Sequence, residues 1–278
     1  MFVKMLIITA ACMVLHTGCD GLYGFIRVDE SEEVEQEITD TMPVPFVTPI
    51  DGGIVPSPRT GVDWWMPRHE RKTAEVRDAP PNPKMVFIGD SITMFWEDLR
   101  GTNYPTIESQ SSNGEAWQEL SDMFDGRIMN LGFGHDMTGN VLWRIEHGQF
   151  PLGFTPEYVV LLIGTNQGHV RTPQSAAAGI ARIIQFINGR SPDTTIILMS
   201  LLPRGEGLLN QYTQRNFEVN SIISRYEGFH GVRYFDFAQY LLNDLGGLMS
   251  EYFTDNLHLT NEGYALWKEK LLEFIDEL

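Results

Sequence analysis

Cysteine is nearly absent from this sequence, and the two cysteines present, Cys12 and Cys19, both lie close to its amino terminus. A disulfide framework needs pairs of cysteines, and a thiolate metal site needs several within reach of one ion. The sequence therefore excludes both from everything that follows residue 19.

Positive charge is also scarce. The chain has 20 Lys and Arg against 37 Asp and Glu, a formal net charge of −17 and a sequence pI of about 4.7. Nucleic-acid binding depends on clustered Lys and Arg that displace counterions from phosphates, so this composition excludes a nucleic-acid partner. An anionic membrane surface would repel the chain as well. The 278 residues, 42% of them hydrophobic, still suffice for one large domain with a sizeable core.

The apolar run at residues 5–15 is too short to cross a bilayer, because it has eleven residues and a transmembrane helix needs ~20. It follows a short basic start and precedes Gly18-Cys19, which resembles a bacterial lipobox. Residues 1–19 are therefore predicted to be a signal peptide, and the chain an exported lipoprotein facing the periplasm or the cell exterior, held to the membrane only by a lipid on Cys19. Because His16 occupies the usual apolar position, plain secretion and an uncleaved anchor stay open.

Residues 20–62 have the composition of a spacer. Between residues 20 and 60 there are nine acidic residues and two arginines, and the prolines follow no helical or alternating period. Such segments bury little apolar surface, so we predict an extended tether over 20–62 and a folded domain over 63–278.

The rest of the chain alternates between apolar runs and segments with helical spacing. Five continuous apolar runs are predicted to be buried strands, which indicates an α/β fold, a three-layer α/β/α sandwich around a five-stranded parallel sheet. The predicted strands cover 85–88, 128–131, 158–163, 195–202 and 232–237, and the predicted helices 139–147, 173–188, 211–226 and 261–275, with a further amphipathic stretch near 61–76.

Polar segments follow four of these elements where a parallel sheet binds its ligands, at the carboxyl ends of the strands. Ser91 follows the first strand, "GFGHD" the second, "GTNQGH" the third, and "DNLH" lies between the fifth strand and the last helix. We expect all four at one edge of the sheet. Ser91 is then either a nucleophile or a hydroxyl that caps the following helix, as Asp90 could also do.

A nucleophilic serine needs a base and a group that orients the base. His258 and Asp255, three residues apart on a short loop, could supply both; the alternative is a turn aspartate beside a packed histidine. Asn166 could donate its amide to the oxyanion formed during acyl transfer, or could only make an Asx turn.

These motifs resemble those of the SGNH or GDSL-type hydrolases: Gly89-Asp90-Ser91, the segment "NLGFGHD", Gly164-Thr165-Asn166, and Asp255 with His258. The segments "LLIGTNQGH" and "SLLPRGE" are similar to the branch of platelet-activating factor acetylhydrolase catalytic subunits. The resemblance implies a flavodoxin-like fold, no cofactor, a homodimer as candidate assembly, and a triad of Ser91, His258 and Asp255. It also implies an oxyanion hole made by the backbone N–H groups of Ser91 and of the second block and by the side chain of Asn166.

One position departs from the family pattern: His135 stands where the family has a glycine before Asp136. Its N–H can still serve the oxyanion hole if the backbone conformation allows, and its side chain becomes a candidate substrate contact. Arg204 is a second candidate contact, for an anionic or hydroxyl-rich substrate, with a solvated loop as the alternative. A metal trio of His135, His169 and His258 lacks any supporting helical pair, so no metal is expected.

The function predicted from the sequence is a serine esterase for small O-acyl esters, most simply O-acetyl, that forms an acyl-enzyme. An acetylated carbohydrate is the first expectation for the substrate. Alternatives are a lipid or phospholipid acyl ester, acyl transfer to another acceptor, and a non-catalytic envelope carbohydrate-binding protein on the same scaffold.

Overall fold

A computed structural model of the chain describes residues 55–97, 99, 112, 114–167, 171–206 and 210–278. The predicted signal peptide, Cys19, and the predicted tether up to residue 54 lie outside the described residues, as does His169.

The centre of the domain is one five-stranded sheet in the order β2-β1-β3-β4-β5, and every neighbouring pair is parallel. This confirms the predicted α/β class, and the order is that of flavodoxin-like folds, with the switch point between β1 and β3. The strands are β1 Met85–Gly89, β2 Ile128–Gly132, β3 Tyr158–Leu162, β4 Thr195–Met199 and β5 Val232–Phe235.

Strand β4 ends earlier than its apolar run predicts. The Leu201 N–H donates to the Asn220 side chain at 2.7 Å instead of to a neighbouring strand. The run through Leu202 is buried because it passes under a helix, and burial alone does not distinguish that from a strand.

The described helices form two groups. Helices α4, α5 and α6 pack side by side, and α3 packs against α7, so that the two groups cover the sheet as the outer layers of a three-layer sandwich. Helix α3 was absent from the sequence prediction. None of the described helices has both the length and the apolar composition that a membrane span requires. Their bounds are α1 Trp65–Asp78, α2 Ser91–Met94, α3 Glu115–Met123, α4 Thr138–Arg144, α5 Pro173–Arg190, α6 Gln211–Ile223 and α7 Asn261–Asp276.

A buried aromatic cluster fixes the last helix against the first βα turn. Trp96 stacks on Trp267 with ring centroids 4.4 Å apart, and Phe87 of β1 meets Trp96 edge-on at 5.0 Å. The Tyr264 hydroxyl donates to the Ile92 carbonyl at 2.7 Å, which ties α7 to α2. The loop that precedes α7 is thereby held beside the end of β1.

The folded domain begins before residue 63. The Ser57 N–H donates to the Gly139 carbonyl at 3.2 Å, and the Asn140 side chain returns a bond to the Ser57 carbonyl at 2.9 Å. Arg59 Nη1 donates to the Gly134 carbonyl at 2.7 Å. The boundary predicted at residue 62 therefore falls inside a segment that contacts the domain.

Candidate active site

Ser91 is the first residue of α2, directly after β1 and Asp90. The Asp90 carboxylate caps this short helix, since its Oδ1 accepts the Ile92 N–H at 3.0 Å. The capping role that could have belonged to Ser91 is filled by its neighbour, and the Ser91 hydroxyl is free to face the other elements of the edge.

The Ser91 hydroxyl meets His258, and His258 meets Asp255. His258 Nε2 lies 2.9 Å from Ser91 Oγ, and His258 Nδ1 lies 2.8 Å from Asp255 Oδ2. The second carboxylate oxygen, Asp255 Oδ1, accepts the backbone N–H of His258 at 2.8 Å. With Nδ1 donating to the carboxylate, Nε2 carries the lone pair that can accept the serine proton.

The loop that carries this pair is closed by its own backbone. The Thr254 N–H donates to the His258 carbonyl at 2.8 Å, and Asn256 has a positive φ of 59° that lets the chain turn. The Gly205 N–H donates to the Asn256 carbonyl at 2.7 Å, which joins the loop to the "LLPRGE" segment after β4. Phe95 packs against the imidazole of His258 with ring centroids 4.9 Å apart. The His258 ring is therefore fixed by its hydrogen bond to Asp255 and by its contact with Phe95.

Asn166 lies beside the loop that follows β2. Its Nδ2 donates to the Asp136 carbonyl at 3.1 Å, and the amide carries a second hydrogen for another acceptor. Gly164, two residues earlier, has a φ of 136°, which strains any residue with a side chain. A Cβ atom added at Gly164 would also lie 3.2 Å from the Leu201 side chain, which is a crowded contact.

His135 has a backbone conformation that glycine adopts more readily than other residues. Its φ is 61°, in the left-handed region, where histidine is one of the better tolerated residues. The side chain reaches solvent at the edge of the site, but its ring loses part of its hydration there, and this loss together with the charges of Arg59 and His258 lowers the pKa of the imidazole. Among the described residues, neither the His135 N–H nor the Ser91 N–H has a hydrogen-bond acceptor.

The structure thus brings together the three residues that the sequence proposed as a triad, with Asn166 and His135 on the neighbouring loops. The model of the GDSL-like lipase/acylhydrolase family matches residues 87–266 of the chain. The chain belongs to the GDSL-like lipase/acylhydrolase family.

Its relatives include acetylhydrolases. Platelet-activating factor acetylhydrolase IB subunit alpha2 of Rattus norvegicus is 32% identical over 219 residues, which cover 78% of this chain and 86% of that protein. Subunit alpha1 of Homo sapiens is 30% identical over 202 residues, which cover 72% of this chain and 78% of that protein. The predicted resemblance to this branch is confirmed.

Solved structures share the fold of this GDSL hydrolase. A GDSL-like lipase from Bacteroides thetaiotaomicron has a TM-score of 0.58 at 18% identity, covering 75% of this chain and 97% of that one. The lipase/acylhydrolase from Enterococcus faecalis has a TM-score of 0.54 at 19% identity, covering 69% and 95%. At these identities the likeness shows the fold, and the family match shows that the protein is a carboxylic ester hydrolase.

Arg204 of the GDSL hydrolase is half-buried beside Thr165, not out on a solvated loop. Its Nη1 donates to the Thr165 carbonyl at 3.2 Å and to Thr165 Oγ1 at 3.1 Å, and Asn216 donates to the same hydroxyl at 3.1 Å. Its charge reaches Asp255 and Asp90. The structure therefore places Arg204 next to the site, where it supports the residue that precedes Asn166.

A buried pair of charged residues next to the site was not predicted from the sequence. Asp136 is fully buried and accepts Trp65 Nε1 at 2.7 Å and Arg144 Nε at 2.8 Å. Arg144 also donates to the Leu131 carbonyl at 3.0 Å, and to the Gly89 carbonyl at 3.4 Å. This arginine ties the ends of β1 and β2 together. The periodicity of the sequence does not predict such a buried pair. The one sequence feature that could have indicated it is a charged residue, Arg144, on an otherwise apolar face of a predicted helix.

Burial sets the titration of the groups around Ser91. It lowers the pKa of His258, against the opposing effect of its bond to Asp255, and Arg204 adds to the lowering. Burial opposes ionisation of Asp255 too, yet the hydrogen bonds from the backbone and ring of His258 lower the pKa of this carboxyl overall. Burial raises the pKa of Asp90 to about 7, with the Ile92 N–H opposing the rise and Asp136 adding to it. Within the described residues, no three His, Cys, Asp or Glu side chains are placed to hold a metal ion.

The lowered pKa of His258 predicts activity that persists into mildly acidic solution. A base must be neutral to accept a proton, so kcat/KM should fall on the acid side with an apparent pKa below the ordinary histidine value of about 6.5. The measurement is a pH profile of kcat/KM on an aryl acetate. Because Asp90 titrates nearby, the profile is repeated with Asp90→Asn, which keeps an acceptor for the Ile92 N–H. An acid limb that vanishes in this variant would assign it to Asp90 and contradict the prediction.

Proposed function

We propose that the protein is a serine esterase that removes a small O-acyl group, acetyl, through an acyl-enzyme. The observation that carries this proposal is the continuous hydrogen-bonded chain from Ser91 Oγ through His258 to Asp255, with contacts of 2.9 Å and 2.8 Å. A serine hydroxyl becomes an effective nucleophile when a neutral imidazole takes its proton, and a carboxylate holds that imidazole in the required tautomer.

The reaction proceeds in two halves. Ser91 Oγ attacks the acyl carbon while His258 Nε2 takes its proton, and the carbonyl oxygen becomes an oxyanion. His258 then protonates the leaving alcohol, and the acyl group stays on Ser91. In the second half His258 takes a proton from water, the resulting hydroxide attacks the acyl carbon, and Ser91 leaves with the proton from His258. Asp255 remains ionised throughout and stabilises the imidazolium.

Three donors are assigned to the oxyanion: the N–H groups of Ser91 and His135 and the amide of Asn166. Replacing Asn166 with alanine removes one of them, so kcat should fall ~10²- to 10³-fold, whereas KM should change little because the interaction strengthens only in the transition state. The matched control is Asn188→Ala near the end of α5, where the amide donates to the His230 carbonyl. Equal kcat for the Asn166 and Asn188 variants would remove the side chain from the oxyanion hole.

The acyl group is proposed to be acetyl because the curated relatives at 30–32% identity are named acetylhydrolases.

The alcohol is proposed to belong to a carbohydrate. The side chains beside the nucleophile, His135, Asn166 and Arg204, can each bond to hydroxyl groups. Enzymes that work on lipid surfaces expose apolar patches near the site. The exposed large apolar side chains of the described chain all lie outside the loops that carry the site residues: Val55, Met123, Leu152, Tyr240, Leu245 and Leu278.

A lipid or phospholipid acyl ester is the second candidate, because the relatives' name says that they act on platelet-activating factor. The test compares kcat/KM for 4-nitrophenyl acetate, butyrate and octanoate, acetylated xylo-oligosaccharides and platelet-activating factor. We expect acetyl to exceed butyrate and the sugar acetate to exceed the lipid. The opposite order for sugar and lipid would overturn the carbohydrate assignment.

The same assays test the two remaining alternatives. No turnover of any ester would favour a carbohydrate-binding protein, and formation of a new ester with an added alcohol would indicate acyl transfer.

We further propose that the protein is exported and lipidated at Cys19, supported by the eleven-residue apolar run and Gly18-Cys19. The test is mass spectrometry of the mature amino terminus. A diacylated or triacylated chain that begins at Cys19 is expected, with Cys19→Ala releasing an active enzyme from the membrane fraction. An unmodified chain that still begins at Met1 would contradict the proposal.

A further inference from the structure

Four residues that precede the family match at 87–266 contact the end of β2, the loop that follows it or the start of α4. We call Ser57, Arg59, Trp65 and Arg68 the amino-terminal brace. Arg68 Nε donates to the Gly132 carbonyl at 3.0 Å, Arg59 Nη1 donates to the Gly134 carbonyl at 2.7 Å, and Trp65 Nε1 donates to Asp136 Oδ1 at 2.7 Å. These three contacts therefore fall on every second residue from Gly132 to Asp136, on both sides of His135.

The Arg59 contact concerns one particular peptide group. The Gly134 carbonyl and the His135 N–H belong to the same planar unit. Because no described peptide is cis, the two groups point in opposite directions. An arginine that holds the carbonyl on one side therefore fixes where the N–H points on the other. A charged donor on the carbonyl also polarises the peptide and makes its N–H a stronger donor.

We propose that Arg59 is a positioning residue of the active site, which orients and polarises the Gly134–His135 peptide so that its N–H stabilises the oxyanion. The inference rests on the proposed function, because it assigns a purpose to one of the three oxyanion donors. It adds a residue that lies outside the four sequence blocks and inside the segment predicted to be a tether.

The departure at His135 explains why such support is useful. A non-glycine residue at φ 61° is in a less favourable conformation than glycine would be, so the loop has a reason to rotate away from it. Arg59 opposes this rotation at the peptide itself. The Ser57 contact of the brace acts beyond the loop, at the start of α4: Asn140 Nδ2 donates to the Ser57 carbonyl at 2.9 Å while Asn140 Oδ1 accepts the Met137 N–H at 2.9 Å.

Burial and charge are consistent with this role. Arg59 is half-buried, and its charge reaches both the His135 imidazole and the Asp136 carboxylate. Two further guanidinium groups contact the Phe133 ring, with Arg144 Cζ 4.0 Å and Arg68 Cζ 5.0 Å from its centroid. Arg59 therefore holds a carbonyl group of the loop itself, while Arg68 and Arg144 donate to the Gly132 and Leu131 carbonyl groups at the end of β2.

The test uses the full chain with Arg59→Ala and Arg59→Lys, and Arg71→Ala as the matched control. Arg71 lies on the same amino-terminal part of the chain, with its side chain 51% exposed and paired to Glu75. Steady-state kinetics with 4-nitrophenyl acetate are combined with the inhibition constant of an aryl trifluoromethyl ketone. The serine adduct of this ketone carries an oxyanion and so mimics the tetrahedral intermediate.

We expect Arg59→Ala to lower kcat about 10- to 100-fold at nearly constant KM, and to weaken inhibition by the ketone by the same factor. Arg59→Lys should recover part of the loss, because it keeps the charge and loses the planar direction of the guanidinium. This second variant also serves if the alanine variant does not fold. Arg71→Ala should match the wild type.

Arg59 variants with wild-type kcat and wild-type inhibition would overturn the inference, as would a loss of kcat that leaves ketone inhibition unchanged. Either result would leave the proposed function intact provided that Ser91→Ala is inactive. Retained activity in Ser91→Ala would instead overturn the proposed function itself.

Discussion

Replacing Ser91 with alanine is expected to reduce kcat for 4-nitrophenyl acetate by at least ~10⁴-fold, since removal of a triad nucleophile leaves only the oxyanion donors and substrate binding to assist water. The hydroxyl is 2.9 Å from His258 Nε2, and the helix cap is made by Asp90, so the substitution removes the nucleophile without removing the cap. The fold should therefore remain, which circular dichroism and the thermal midpoint will show.

The control for this variant is Ser221→Ala, an exposed serine on α6 whose hydroxyl bonds to the Glu218 carbonyl. It should keep wild-type activity. If Ser91→Ala kept more than about one-hundredth of the wild-type kcat while folded, Ser91 would not be the nucleophile, because the oxyanion hole alone does not account for such a rate.

The second large effect is expected at the His258–Asp255 pair. His258→Ala removes the side chain that is hydrogen-bonded to the Ser91 hydroxyl, so its kcat should fall about as far as that of Ser91→Ala. The double variant should be no slower than either single one, because the two residues act as a unit. His147→Ala, on an exposed histidine that bonds to the Trp143 carbonyl, is the control.

Asp255→Asn tests the orientation of the histidine separately from its presence. An asparagine oxygen can still accept the backbone N–H groups of His258 and Leu257, so the loop should keep its shape. The side-chain NH₂ would then face Nδ1 and favour the tautomer that carries its proton on Nε2, which cannot accept the serine proton. A loss of ~10³- to 10⁴-fold in kcat is expected. A loss below tenfold would show that the carboxylate is dispensable.

The sequence predicted the sheet well because a parallel sheet buries its strands on both faces, so that each strand appears as a continuous apolar run. The same signal overextended β4 to residue 202, because Leu201 and Leu202 are equally buried without being paired to a strand. It missed α3, Glu115–Met123, a short helix whose buried residues are only Ala116 and Leu120.

The candidate site was predictable in its membership because the fold carries four loops to one edge. The sequence did not predict which of two adjacent residues has which role. In the structure Asp90 caps α2 and Ser91 faces His258. The amino-terminal brace could not be predicted from the sequence either. Its contacts are single hydrogen bonds between residues 64 to 83 positions apart in the chain, and such bonds produce no periodic pattern in the sequence. The surrounding composition, acidic and rich in proline, predicted a spacer instead.

The central claim, an acyl-enzyme on Ser91, is tested most directly by trapping the intermediate. The wild-type enzyme is quenched with acid during turnover of 4-nitrophenyl acetate and analysed by intact mass spectrometry and peptide mapping, with Ser91→Ala treated in parallel. The account predicts one acetyl group per chain, on Ser91 within the peptide "MVFIGDSITMFW", and none on the variant. Acetyl found on another residue that is required for turnover, or turnover of the ester by the Ser91→Ala chain at the wild-type rate, would contradict it.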